Sequence, residues 1–328
     1  MQDTSTEQAV ERPALKPSTP RSRSIQRVRE SAIRLVLIAC GSFSVLITIT
    51  IIVVLFSEAG LFFSRTFHTE GGEPYRVTPV EFFTGTEWSP LLGSKRHYGV
   101  WALICGTMLV TAVAMAVALP LGLITAVFLS EYAPRQLRAV LKPVLEVLAG
   151  IPTVVYGFFA LWVITPSLQS VFFGFDSFNA FSAGLAVGIL CLPTVTSLSE
   201  DALQAVPRSL REAAYGLGGT RFDVSLKVVV PAALSGVISA FLLAIARAIG
   251  ETMIVALAAG NRAQLTIDPR KQVQTMTGFI AQMSDGDMTN FGPEYFSSYA
   301  VAATLFAITF AITILGNVIR KRFREVYQ

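Results

Sequence analysis

Glu212-Ala213-Ala214, then Gly218-Gly219-Thr220 and, further on, Val228, Val230 and Pro231, stand between two long apolar segments. Pro207 suits the first turn of a helix, where its missing N–H would be unpaired anyway. Leu210, Ala214 and Leu217 fall at i, i+4 and i+7 and form an apolar stripe. Gly218-Gly219 stops that helix, because glycine accepts the left-handed conformation that ends helices. Thr220 with Asp223 has the look of a capping box, restarting a helix that runs through Pro231 into the next span. The stretch therefore predicts a short helix lying across a membrane face with a sharp turn behind it. Periodicity alone leaves two uses for it: packing on its own bundle, or docking a partner.

The flanking segments are read from where charge is missing. Leu35 to Phe56 is 22 residues without a charge, Gly99 to Ser130 is 32, and Ser297 to Ile319 is 23. A helix needs about 20 apolar residues to cross a bilayer. Pro143 to Ile164, Ser177 to Ser199 and Ala232 to Gly260 also qualify, so the prediction is an all-α membrane protein of six transmembrane helices. A composition of 52% hydrophobic and 15% charged residues excludes an ordinary soluble domain. Ser57-Glu58-Ala59 has a small-x-small look, but 22 apolar residues are too many for a signal h-region, so the first span is read as retained. Cys40, Cys105 and Cys191 all lie in apolar segments and read as small core residues, not as a disulfide framework or metal site. His68 and His97 are isolated and read as surface residues. No cofactor is implied.

Cations set the orientation. With both termini cytoplasmic, the inner segments carry 18 Lys and Arg and the outer ones seven, whereas acidic residues split evenly. That is the positive-inside pattern, so the net charge of +4 reflects topology and nucleic acid is not a partner. Residues 1–30, rich in Ser, Thr, Pro and charge, predict a disordered cytoplasmic tail. The 57–98 loop is external, and its aromatics favour an ordered cap. The 200–231 loop, which holds the opening stretch, is cytoplasmic.

That stretch resembles the EAA loop, E-A-A-x3-G-x9-I-x-L-P, of permease subunits of ATP-binding-cassette importers, with Val228 and Val230 as the departures. The resemblance implies that Glu212, Ala213, Ala214, Gly218 and Pro231 couple the chain to an ATPase. The chain has no G-x-x-x-x-G-K-[ST] sequence, so the ATPase is a separate polypeptide and this chain is not an enzyme.

Arg247 lies near the centre of the fifth predicted span, with Glu251 four residues on. Charges in hydrocarbon are costly and mark function by default, and i, i+4 places the two on one helix face. The alternative is a structural ion pair. Glu146, just inside the third predicted span, is a third pathway candidate, with Arg135, Arg138 or Lys142 as expected partners. Pro152 and Pro193 are expected to kink their helices. Gly184 and Gly188 make a weak G-x-x-x-G, read as packing.

Ala246-Arg247-Ala248-Ile249-Gly250-Glu251-Thr252-Met253 is similar to a segment of phosphate importer permeases of the PstC type. Gly106-Thr107 and the stretch from Glu146 through Ile151-Pro152-Thr153 to Phe159 agree, and the similarity covers about residues 35–325. It implies a MetI-like permease fold in a bacterial inner membrane and a homologous PstA-type permease as partner. It further implies an ABC ATPase dimer, an external phosphate-binding protein landing on the 57–98 and 261–296 loops, and inorganic phosphate passing Arg247. Rival readings are a permease for sulfate or molybdate, a secondary transporter or channel using Arg247 and Glu251 as a relay, and a sensor scaffold.

Overall fold

The computed structural model describes residues 20–67, 74–90, 96–287 and 292–322. Among them, five helices are long and apolar enough to cross a bilayer, or six when a bent pair counts as one span. The chain divides into two units, residues 1–54 and 55–328.

The first unit is most of helix α1 (Pro20–Ser64). Its apolar side chains, among them Leu35, Leu37, Phe43, Leu46 and Ile51, are exposed, the surface that a helix shows to hydrocarbon. Thr48 and Thr50 donate their hydroxyls to the carbonyls of Ser44 and Leu46, so neither carries an unpaired polar group into lipid. The expected disordered tail of residues 1–30 is corrected here. Residues 20–30 are helical, because Pro20 tolerates the first helical position and a nucleated helix propagates at little cost. Residues 1–19 lie outside the described residues.

The second unit packs around α3 (Trp101–Tyr132) and α6 (Ala180–Gln204). Their backbones meet because Gly184 and Gly188 carry no side chain. A Cβ on Gly184 would stand 2.7 Å from Val113 Cβ and 2.9 Å from the Val110 carbonyl, and one on Gly188 would stand 2.9 Å from the Ala114 carbonyl. The G-x-x-x-G is therefore a packing surface within the chain. Around this pair stand α5 (Thr153–Val171), α9 (Leu234–Ile249), α10 (Met253–Ala258) and α12 (Pro293–Arg322).

The third predicted span is displaced. Pro143–Gly150 belong to a separate amphipathic helix, α4 (Arg135–Gly150), and the apolar helix begins only at Thr153. Pro152 does not kink a helix; it divides two. Ile151 is forced extended (ψ 131°) by the proline that follows, and no i→i−4 bond crosses the junction at Pro152. Pro193, by contrast, sits inside a continuous α6.

Between α1 and α3 in the chain, α2 (Pro79–Thr84) and a two-stranded ribbon, β1 (Trp88–Ser89) with β2 (His97–Tyr98), form a small cap. Phe62, Phe82, Trp88, Tyr98, Phe279 and Phe296 are its core, with Trp88 edge-on to Phe279 at 4.9 Å. Tyr75 and Tyr98 share a hydrogen bond of 3.1 Å; burial first, and that bond second, push the Tyr98 hydroxyl well above its ordinary pKa. His97 is exposed at the ribbon, and His68 lies outside the described residues. The 261–296 segment is more than a surface loop. Residues 273–279 are buried, Met276 N–H donates to Thr107 Oγ1 at 2.9 Å, and α11 (Met276–Gln282) packs on α3, α10 and α12.

Replacing Gly184 by Val should lower the unfolding temperature in detergent, the overpacking costing about 1–3 kcal/mol. Gly41→Ala, where a Cβ meets nothing within 4 Å, should not lower it.

Candidate functional site

Helix α7 (Arg208–Gly216) carries the Glu212 stretch. Pro207 sits one residue before it as the cap. The stop is built by Gly218, at φ +85°: its N–H reaches Tyr215 O at 2.9 Å while Gly219 N–H reaches Ala214 O at 3.1 Å. These are the paired bonds of a Schellman ending, which needs a left-handed residue between them. Leu210 and Ala214 pack inward as expected, but Leu217 is 91% exposed, because the helix has ended before its turn comes round. Glu212 and Ala213 are exposed as well. One side of α7 grips the bundle and the other is bare.

Thr220 Oγ1 accepts from Asp223 N–H at 3.2 Å and starts α8 (Arg221–Ala232). This helix does not run straight into the next span. It meets α9 at a bend of 71° at Ala233, two residues after Pro231, whose ring nitrogen has no proton for the i−4 carbonyl.

The grip on α7 is ionic. The Arg211 guanidinium donates to Leu203 O at 2.7 Å and to Glu131 Oε1 at 3.1 Å, and also to Val206 O, so it ties α7 to the ends of both α3 and α6. Arg138 of α4 donates to the Leu129 and Ser130 carbonyls and lies 3.5 Å from Glu200. Lys142 lies 3.6 Å from Glu200 and 3.4 Å from Asp201. Gln204 completes the set at 2.6 Å from Glu200, a carboxylate only 1% exposed. Sequence reading singled out neither Glu131 nor Glu200. It assigned Arg138 and Lys142 to Glu146, yet Glu146 is exposed and outside these ion pairs. The missed signal is Glu200-Asp201 at the end of an apolar span, facing two cations of α4.

The expected common helix face of Arg247 and Glu251, and with it the alternative of a structural ion pair, is also corrected. Helix α9 ends at Ile249, so Arg247 stands in its last turn and not mid-span. Glu251 lies in the break at residues 250–252, and among the described residues no ion pair joins the two. Glu251 is buried instead: its Oε1 accepts Ile254 N–H at 3.4 Å, and its carbonyl accepts the Thr277 hydroxyl at 2.6 Å. It secures the start of α10. Arg247 is exposed and, among the described residues, makes one hydrogen bond, to Thr194 Oγ1 at 3.3 Å.

Thr194 also borders a cavity of ≈ 340 Å³ between α4, α6 and α9, whose polar lining is Lys142, Glu146, Thr194, Ser197 and Glu200. Arg247 thus donates to a wall residue of this hollow, and Lys142 and Glu200 of the ionic network line it as well. Such a bundle, with a broken helix presenting a guanidinium and a half-bare helix at one face, has the parts of a transport subunit.

Residues 118–325 match the family described as binding-protein-dependent transport system inner membrane component. The chain belongs to that family. It is a multi-pass membrane permease, a transport component and not an enzyme. The permease is 33% identical over 93% of its length, and 94% of the relative's, to a probable ABC transporter permease protein, YqgH, of Bacillus subtilis. It is 34% identical over 72% of its length, and 76% of the relative's, to the phosphate transport system permease protein PstC of Mesorhizobium japonicum. Among solved structures it is similar to a chain of a bacterial alginate ABC transporter bound to its periplasmic protein. There the TM-score is 0.61 at 11% identity, covering 92% of the permease and 97% of that chain, a likeness of fold alone.

Loss of the Arg211 side chain in Arg211→Ala should speed amide hydrogen exchange across residues 208–216 about tenfold, the worth of a charged, partly buried hydrogen-bond set. Leu217→Ala should leave it unchanged.

Proposed function

We propose that this chain is the PstC-type permease subunit of an ATP-driven importer of inorganic phosphate in a bacterial inner membrane, with both termini cytoplasmic. It pairs with a homologous PstA-type permease. An ABC ATPase dimer receives the bare side of α7, with Glu212, Ala213 and Gly218 at the contact, and Ala214 and Pro231 setting the helix and its turn. An external phosphate-binding protein lands on the aromatic cap. The lipid bilayer covers the remaining apolar surface. ATP-driven closure of the ATPase moves α7 and rocks the two permeases between inward- and outward-facing states, without covalent chemistry on this chain.

The observation that carries the cargo assignment is Arg247. A guanidinium offers a planar fork of donors that matches two oxygens of a phosphate. Here it is exposed, held by a single hydrogen bond among the described residues, and stands where α9 breaks. Similarity to PstC of Mesorhizobium japonicum supports phosphate over other oxyanions. Glu251 serves this group by position: it anchors the start of α10 and so fixes the break that ends α9 beside Arg247. Glu146, on the cavity wall, keeps the anion from settling there.

Arg247→Ala in the assembled importer should cut ATP-dependent phosphate uptake about 100-fold, as loss of charge-assisted bonds to the anion predicts, while the complex still purifies intact. Normal uptake would refute the assignment, and faster uptake of sulfate or molybdate than of phosphate would move the cargo to that anion. Gly218→Val, strained at φ +85°, should lower uptake and separate ATPase from permease on purification.

A further inference from the structure

The cavity bordered by Thr194, the partner of Arg247, is also lined by a cation that the transport reading leaves idle. Lys142 Nζ approaches Glu200 and Asp201 only to 3.6 and 3.4 Å, longer than a good charge-assisted bond, and its side chain is 37% exposed. Glu200 does not depend on it. Gln204 at 2.6 Å and Arg138 at 3.5 Å stay with that carboxylate if Lys142 turns away. The usual penalty for leaving a buried charge unpaired is therefore small at this position, and Lys142 is free to exchange partners.

Helix α6 supplies the route between the two cations. Thr194, Ser197 and Glu200 recur every three residues and all line the cavity. Thr194 holds Arg247, and Ser197 makes no hydrogen bond among the described residues. From Thr194 to Glu200 is about 9 Å along the helix axis, at 1.5 Å per residue. An oxyanion leaving Arg247 thus finds hydroxyl donors on the way and an ammonium at the far end. Glu146 and Glu200 on the same walls oppose its stay.

We propose that Lys142 is the exit contact for the transported anion: it releases Glu200 to bind the oxyanion handed down from Arg247, and re-pairs with Glu200 as the anion leaves. This rests on the reading of the chain as an oxyanion permease, but not on the anion being phosphate.

The test uses the assembled importer in detergent and in vesicles. In the wild-type complex, inorganic phosphate should protect Lys142 from amine acetylation, read by mass spectrometry, at least fivefold more than chloride at equal ionic strength. In vesicles, phosphate on the cytoplasmic side should inhibit uptake, and Lys142→Gln should raise the inhibitory concentration about tenfold, the worth of one charged hydrogen bond. Lys142→Arg should restore it to within about threefold, since it keeps the charge. A merely structural lysine would change yield or melting temperature and leave the inhibitory concentration where it was. Absence of protection in the wild-type complex overturns the proposal even if Lys142→Gln fails to assemble. Protection by sulfate or molybdate in place of phosphate upholds Lys142 and overturns only the choice of cargo.

Discussion

In hydrocarbon no water is present to satisfy a loose peptide group, so every break in a membrane helix must be closed by the protein itself. That constraint shapes each irregular point of this permease. At the Ile151–Pro152 junction the freed Leu148 carbonyl takes the Tyr156 hydroxyl at 2.8 Å and Ile151 N–H at 3.4 Å. At the 250–252 break the Glu251 carbonyl takes Thr277 Oγ1, while its side chain covers Ile254 N–H. The buried 273–279 segment finds an acceptor for its Met276 N–H in Thr107 Oγ1. Each repair uses a nearby side chain, so the breaks keep fixed positions. Arg247 is thereby held in the last turn of α9.

The ionic network at the α7 end solves a different problem. A carboxylate as buried as Glu200 gains little net stability from its partners, since desolvation consumes most of the attraction. What the arrangement provides is position. Glu131 with Arg211, and Glu200 with Arg138 and Lys142, join the ends of α3, α4, α6 and α7 at one place. A shift of α7 is felt by α6 through Arg211 and by α3 through Glu131. The exposed face of α7, from Glu212 to Leu217, is left with no role in holding the bundle together.

Most of the architecture was legible before any coordinates. Absent charge located the apolar helices, and the Gly218-Gly219 turn behaved as its chemistry requires. The misplaced third span was avoidable in principle, because the residue before a proline resists helix and Ile151-Pro152 stood in plain view. The fifth span failed for a subtler reason. Gly250 and Thr252 are both weak helix formers flanking Glu251, yet hydropathy runs unbroken across them. An i, i+4 argument holds only while the helix continues, and here it stops between the two charges. Glu200 was missed because its partners lie about sixty positions earlier in the chain, and no periodicity reports a contact across that distance.

By itself, the sequence determined what is local: which segments suit a bilayer, and that a short amphipathic helix with a glycine ending lies between two spans. These follow from solvation and backbone sterics, which act over a few residues. Only the tertiary structure decided which charges meet. Arg247 turns to Thr194, Glu251 to a helix start, and Arg138 with Lys142 to Glu200. Those choices depend on how closely Gly184 and Gly188 let α6 approach α3, and on where each helix is broken. The energy of a charge in a membrane is set by its neighbours in space, and neighbours in space exist only once the bundle has packed.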